Sequence, residues 1–383
     1  MDFLKQAAER VIALFPLKNI IIFESLPDFA DNTRAVFDEL VRQGVNKTYQ
    51  LVWTTHGDGT LPDDLKDVKN VKAVNMNSAA YKYCYSYFAK ALIVGNFFMQ
   101  RRRPEQYYLY AAHGAAFKAI KDRRYSVPKD CRGCDFCVLS EGLGEYDVRN
   151  LNVTPNDVHM LPLGYARNDR LLHPDENVRR LFTQEEGAKL IYWMPTFRQK
   201  SGSAHAYSSI SIPFIHDREM AEQINEAAKA HNTLLIVKPH PAQDVEYIKN
   251  FRLSHIRLID NAYLAAHGID NYGLLGACDA LLTDYSSVFY DYLLCDRPIG
   301  LCWEDFEEYN RNEGFTVDID EALEGCERLY TADALCAFIA DVAEGRDRLR
   351  EARNANKQRV HKYTDGRSAE RIAAHVIKKL AEK

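Results

Sequence analysis

The residues best suited to chemistry lie where apolar runs end. Leu281-Leu282-Thr283-Asp284-Tyr285-Ser286-Ser287 reads as a buried strand, a polar turn and a helix start, with Asp291 further along that helix. A helix start presents unpaired backbone N–H groups and a partial positive charge, and serine hydroxyls add donors, so the segment suits a phosphate. The plainer reading is that Ser286 only caps the helix. Leu234-Leu235-Ile236-Val237 runs into Lys238-Pro239-His240-Pro241, where two prolines stiffen the backbone around an imidazole. A histidine fixed this way suits acid–base or charge-stabilising work better than a lone exposed one. In the first half, Tyr107 to Ala112 leads to His113-Gly114, and Lys118 follows in a stretch expected to be helical. The glycine permits close approach of a ligand. The histidine reads as a base, a phosphate donor or a helix cap.

Elements must place these residues. Apolar runs of strand length alternate with helix-period segments, which predicts an α/β protein with parallel sheets covered by helices. Strands are expected at Asn19 to Phe23, Tyr49 to Thr54, Val71 to Val74, Ala91 to Val94, Tyr107 to Ala111 and Phe136 to Leu139. Helices are expected at Asp31 to Gln43 and Ser78 to Lys90. A second series follows at Leu190 to Trp193, Leu234 to Val237, Ile256 to Leu258, Ala280 to Leu282 and Ile299 to Leu301, a restart that predicts a second doubly wound unit. The expected division is a first α/β domain at 1–175, a second at 176–362, and a tail at 363–383 packing back on the first. In that tail Ile372, Val376, Ile377 and Leu380 form an apolar stripe. Ligands of open α/β sheets sit outside the carboxyl ends of strands, where the histidine and serine motifs fall.

Composition narrows the function classes. The chain has 383 residues, 46% hydrophobic and 27% charged, which excludes a disordered or fibrous protein. A net charge of −5 argues against coating nucleic acid. Between Arg101 and Arg132, however, nine basic residues face three acidic ones, including Arg101, Arg102, Arg103, Lys118, Lys121, Arg123 and Arg124. Such a run is a solvated face, a phosphate funnel or a patch for anionic lipid headgroups. An amino-terminal helix with Phe3, Leu4, Ala7, Val11, Ile12 and Phe15 on one side faces either the core or a membrane interface. No run reaches the roughly 18 apolar residues needed to span a bilayer. Charged residues interrupt the amino terminus where a secretory signal needs an apolar stretch, so a cytoplasmic protein is expected. Nine scattered cysteines suit a reducing compartment. Cys131, Cys134 and Cys137 have a metal-like spacing but lack a fourth ligand nearby, and Cys137 is expected to pack as a small apolar residue. No other metal or cofactor motif is present, and a divalent ion stays an open requirement.

Taken in order, these segments resemble the CDP-glycerol glycerophosphotransferase family, the primases and polymerases of teichoic acid and related polymers. The resemblance begins at Phe23-Glu24-Ser25-Leu26-Pro27-Asp28-Phe29-Ala30-Asp31-Asn32. It continues through His113-Gly114 with Lys118, Gly164-Tyr165-Ala166-Arg167-Asn168-Asp169, Pro195-Thr196-Phe197-Arg198, the Lys238 to Pro241 loop, and Thr283 to Ser287 with Asp291. Two departures flank the first histidine: Ala111-Ala112 before it, where the family has an aromatic, and Ala115-Ala116 after it, where the family has Thr-Pro.

The resemblance implies a GT-B-like fold, two doubly wound parallel-sheet domains facing a central cleft, with the nucleotide held mainly by the second. It implies transfer of glycerol phosphate from CDP-glycerol, or of ribitol phosphate from CDP-ribitol, to a hydroxyl of a lipid-linked or polymer acceptor, with release of CMP. Teichoic-acid-like or capsular polymer synthesis on the cytoplasmic face of the membrane follows, in a chain expected to be close to a bare catalytic unit. It assigns His113 as general base and His240, Ser286 and Ser287 to the donor diphosphate. Arg198, Lys238 and Thr283 fall to the same donor side. Gly114, Lys118, Arg167, Asn168, Asp169, Asp284 and Asp291 line or support the site. A GT-B glycosyltransferase and a non-catalytic polymer-binding protein are the competing readings. The oligomeric state stays open.

Overall fold

The structure is a computed structural model describing residues 11–12, 14–96, 99–119, 132–151, 153, 155–174, 176–183, 185, 187–198, 211–241, 243 and 245–382. The chain divides into two compact units. One comprises Met1–Ala115, Asp122–Asp169 and Arg367–Lys383; the other comprises Ala116–Lys121 and Arg170–Gly366. The division falls between Asp169 and Arg170 rather than at 175/176, and the tail joins the first unit from Arg367 rather than from 363.

The first unit is built on β1 (Lys18–Glu24), β2 (Gln50–Thr55), β3 (Val71–Asn75), β4 (Ala89–Val94), β5 (Tyr107–Tyr110), β6 (Cys134–Cys137) and β7 (Val158–Leu161). They form one parallel sheet in the order β3-β2-β1-β4-β5-β6-β7. The order reverses between β1 and β4, where a doubly wound sheet opens a crevice at its carboxyl edge. Strands buried on both faces read as continuous apolar runs, as Ile20-Ile21-Ile22-Phe23 does. Ile21, Phe23, Trp53 and Ile93 pack against Val36, Phe37 and Leu40 of the helix Asp31–Arg42. Ile372, Ala373, Val376 and Leu380 of the last helix, Ser368–Ala381, join the same core. Burying each large side chain here contributes about 1.5–3 kcal/mol.

The second unit carries β8 (Lys189–Trp193), β9 (Thr233–Val237), β10 (Ile256–Leu258), β11 (Ala280–Thr283), β12 (Ile299–Cys302) and β13 (Glu327–Leu329). All are parallel, in the order β10-β9-β8-β11-β12-β13, so this sheet reverses between β8 and β11. Its core gathers Ile191, Trp193, Leu235, Val237 and Leu282 beneath Ile224 and Phe338.

Several expectations are corrected. β7 and β13 were not anticipated: each is short, with polar residues inside it. The sixth strand runs Cys134–Cys137 rather than Phe136 to Leu139, and it buries both of its cysteines; Cys131 lies outside the described residues. The helix expected at Ser78 to Lys90 is present over residues 79–88, but its middle, Tyr81–Tyr85, is π-helical and it ends earlier, because β4 already begins at Ala89. Of the amino-terminal stripe, Phe3, Leu4 and Ala7 lie outside the described residues, while Val11 and Phe15 are exposed. Arg103 is buried and donates to the Phe15 carbonyl at 2.8 Å, Lys118 belongs to the second unit, and Lys121, Arg123 and Arg124 lie outside the described residues.

Candidate active site

In the first unit the candidate residues gather beyond the carboxyl ends of β1 and β5. His113 Nδ1 pairs with Asp31 Oδ2. The other oxygen, Oδ1, accepts from Arg167 Nη1 at 2.6 Å, and the same Nη1 donates to the His113 carbonyl. Asn32 locks the arrangement: its Nδ2 donates to the Ala112 carbonyl at 2.9 Å, and its Oδ1 accepts from the Arg167 backbone N at 3.0 Å. The Asp31 and Arg167 side chains are each 7% exposed, whereas that of His113 is 60% exposed. The imidazole is thus open to substrate while its support is enclosed. Burial disfavours the Asp31 carboxylate, but Arg167 and His113 outweigh it and hold its pKa far below the ordinary carboxylate range. With Nδ1 committed to a carboxylate, Nε2 is the nitrogen left for proton transfer.

Two residues here have left-handed backbones, Asp31 (φ 64°) and Ala112 (φ 64°). Aspartate tolerates that region; alanine adopts it at a cost of about 1–2 kcal/mol. The Asn32 bond to the Ala112 carbonyl offsets part of that cost. Ala111, Ala112, Ala115 and Ala116 are all buried. The small residues that depart from the family pattern therefore pack in the interior on either side of His113.

Asp31 is the functional residue that motif reading missed. It stood inside the Asp31-Asn32 pair of the resemblance, but nothing local linked it to a histidine in another loop. Arg167 is a positioning group rather than an open ligand. Asn168 is buried, and Gly114 is half-buried beside the histidine. Asp169 accepts from the backbone N of Ser368 and of Ala369, each at 2.8 Å, and so caps the last helix. Gly164 (φ +84°) lies so close that a Cβ would meet Ser368 Oγ at 2.4 Å.

In the second unit the candidates collect where the strand order reverses. The loop after β8 supplies Thr196 to Arg198, the loop after β11 supplies Asp284 to Ser287, and the loop after β9 supplies Lys238 to His240. Arg198, expected on the donor side, is enclosed. Its side chain is fully buried, with Nη1 to Asp284 Oδ2 at 2.5 Å and Nε to Asp305 Oδ2 at 2.7 Å. Asp284 also accepts from Thr196 N at 2.9 Å and Tyr285 N at 2.6 Å, and Tyr285 Oη donates to Asp305 at 2.7 Å. This ion triad pins the two switch-point loops together. Thr283 is buried and donates to the Met194 carbonyl at 2.8 Å. Asp291 is buried and accepts from Tyr272 Oη at 2.7 Å.

What stays accessible is His240, Lys238, Ser286 and Ser287. The His240 ring lies 5.1 Å from that of Phe197 and is exposed. Partial desolvation, reinforced by the charges of Lys118 and Lys238, holds its pKa below the ordinary histidine value. Burial likewise lowers that of Lys238. Ser286 and Ser287 are half-exposed, and Ser286 Oγ accepts weakly from Val288 N at 3.4 Å. The helix they open, Val288–Tyr292, is short, so hydroxyls and loop amides matter more than its dipole.

Lys118 is placed differently from expectation. Residues 114–119 are not helical, and Ala116 onward belongs to the second unit. Lys118 forms an antiparallel bridge with Phe315, flanked by Ala119 N to Gly314 O at 3.1 Å and Thr316 N to Phe117 O at 2.9 Å. Among the described residues, no group of three or more His, Cys, Asp or Glu is placed to hold a metal ion.

Two parallel-sheet units of this strand order, each with its polar cluster at strand carboxyl ends, define a GT-B-like α/β protein. Comparison with known proteins is more specific. The chain belongs to the CDP-glycerol:poly(glycerophosphate) glycerophosphotransferase family, whose pattern matches residues 7–378. It is 26% identical to the teichoic acid ribitol-phosphate polymerase TarK of Staphylococcus aureus, over 99% of this chain and 72% of that protein. It is 24% identical to the teichoic acid poly(glycerol phosphate) polymerase of Bacillus spizizenii, over 82% of each. The solved structure of the wall teichoic acid polymerase TagF superposes with a TM-score of 0.73 at 18% identity, covering 96% of this chain and 90% of that one, a likeness of fold.

Proposed function

We propose that this protein transfers a polyol phosphate from a CDP-linked polyol to a hydroxyl of a polymer or lipid-linked acceptor, releasing CMP, in the synthesis of a teichoic-acid-like or capsular polymer. The observation that carries the reading is the Asp31–His113 pair in a chain of this family. His113 takes the acceptor proton as the hydroxyl oxygen attacks the phosphorus bearing the polyol. The P–O bond to CMP breaks, and the proton then passes to solvent. Asp31 fixes the tautomer and stabilises the imidazolium, and Arg167 keeps Asp31 ionised and in place. On the donor side, Lys238, His240, Ser286 and Ser287 hold the diphosphate. His240, kept neutral by its surroundings, donates a hydrogen bond to the charge that grows on departing CMP.

CDP-glycerol is the donor put first, on the family's description, with CDP-ribitol as its competitor because one relative is a ribitol-phosphate polymerase. No described helix is long and apolar enough to cross a membrane. The protein works on the cytoplasmic face, held peripherally by its acceptor and by exposed side chains such as Val11, Leu14 and Phe15. Paired assays with CDP-glycerol and CDP-ribitol, reading CMP and product length, test the donor. Faster CMP release from CDP-ribitol would transfer the assignment to ribitol phosphate.

A further inference from the structure

The segment that follows His113 enters the other unit. Ala116 to Ala119 runs as an extended strap bridged to Phe315, and Phe117 anchors it, 1% exposed, with its ring 4.9 Å from those of Phe289 and Phe315. Phe289 lies in the first turn of the helix opened by Ser286 and Ser287. The strap is therefore fixed against the loop that presents the two serines, and the next side chain after the anchor is exposed Lys118.

Two other basic groups lie in the same unit, on the loop after β9. Lys238 N donates to the Trp193 carbonyl at 2.9 Å, which sets the start of its loop beside the end of β8, and His240 lies against Phe197 from the β8 loop. Among the described residues Lys238 makes no ion pair within 4.0 Å, while Asp284 and Asp305 are occupied by Arg198. Lys118 and Lys238 both act electrostatically on His240, which places the three groups in one field.

We propose that Lys118 is a ligand of the donor diphosphate, completing with Lys238 and His240 a three-pronged basic site that the strap delivers to the second unit. This rests on the CDP-polyol reading above and extends it. One short stretch of chain carries both the acceptor-side base and a donor-side cation, so holding the diphosphate also fixes the segment that follows His113.

The test uses the full chain, titrated calorimetrically with CDP and with CMP, in wild type, Lys118→Met and Lys118→Arg. A single methionine at this exposed position is expected to leave the thermal unfolding midpoint unchanged. The proposal expects Lys118→Met to weaken CDP at least tenfold and CMP less than threefold, with Lys118→Arg restoring most of the CDP affinity. Unchanged CDP affinity in Lys118→Met, or equal losses for CDP and CMP, overturns the assignment of Lys118 and leaves the donor reading standing. A wild-type chain that binds neither nucleotide overturns the donor reading and this proposal together.

Discussion

The carboxylate of Asp31 holds Nδ1 of His113 and, through its other oxygen, the Arg167 guanidinium at 2.6 Å. One enclosed acid thus sets the tautomer of an open histidine while a buried arginine keeps that acid charged. The expected consequence is that Asp31→Asn, which keeps the shape and tolerates the same left-handed backbone, lowers kcat for CMP release by about a hundredfold or more with little change in donor KM. Steady-state kinetics on a variant with a wild-type unfolding midpoint measures this. An unchanged kcat removes Asp31 from the mechanism.

Arg198 makes the opposite prediction. Arg198→Met leaves Asp284 and Asp305 buried without their counter-charge, and the expected loss is about 3–5 kcal/mol of stability. Urea unfolding reads it directly. If instead the variant folds normally and loses only nucleotide affinity, Arg198 is a ligand after all.

His361 is 4% exposed, and its Nε2 donates to the Tyr290 carbonyl at 2.7 Å. Burial holds its pKa below the ordinary 6.5, so the unfolded chain takes up a proton that the folded one refuses. The stability that follows is present above about pH 6.5 and falls as the pH drops toward the depressed folded value. His240 acts with the same sign. Denaturant melts between pH 8 and pH 5 should show this acid loss in wild type and a smaller one in His361→Gln. Equal slopes in the two proteins contradict it.

Asp169 caps the last helix, so Asp169→Ala should cost about 1 kcal/mol. It should also speed proteolytic release of the helix Ser368–Ala381. Intact-mass analysis of timed digests follows that event. Digestion at the wild-type rate would show that the apolar stripe alone holds the helix.

The sheets were legible because each long buried strand is an uninterrupted apolar run, and the restart near Lys189 marked the second unit. β7 and β13 escaped because strands of three or four residues carrying His159 or Arg328 have no such signature. In the site, His113 and His240 stood out through local context: glycine after one, prolines around the other. Asp31 did not, since its partner lies 82 residues away and only the fold joins them. Arg198 and Thr283 were read as donor-side ligands because a polar residue at a strand end looks the same in sequence whether it meets phosphate or a buried partner. Lys118 was tied to His113 by proximity along the chain, yet the chain changes unit within that interval.

The central claim is that this chain breaks a CDP-polyol at phosphorus with His113 as the base. The most direct measurement incubates wild type and His113→Asn with CDP-glycerol, CDP-ribitol and a set of UDP-sugars beside a polyol-phosphate acceptor, reading free nucleotide. CMP is expected from a CDP-polyol only, with at least about a hundredfold loss in His113→Asn. UDP from a UDP-sugar, or undiminished CMP release by His113→Asn, would contradict it.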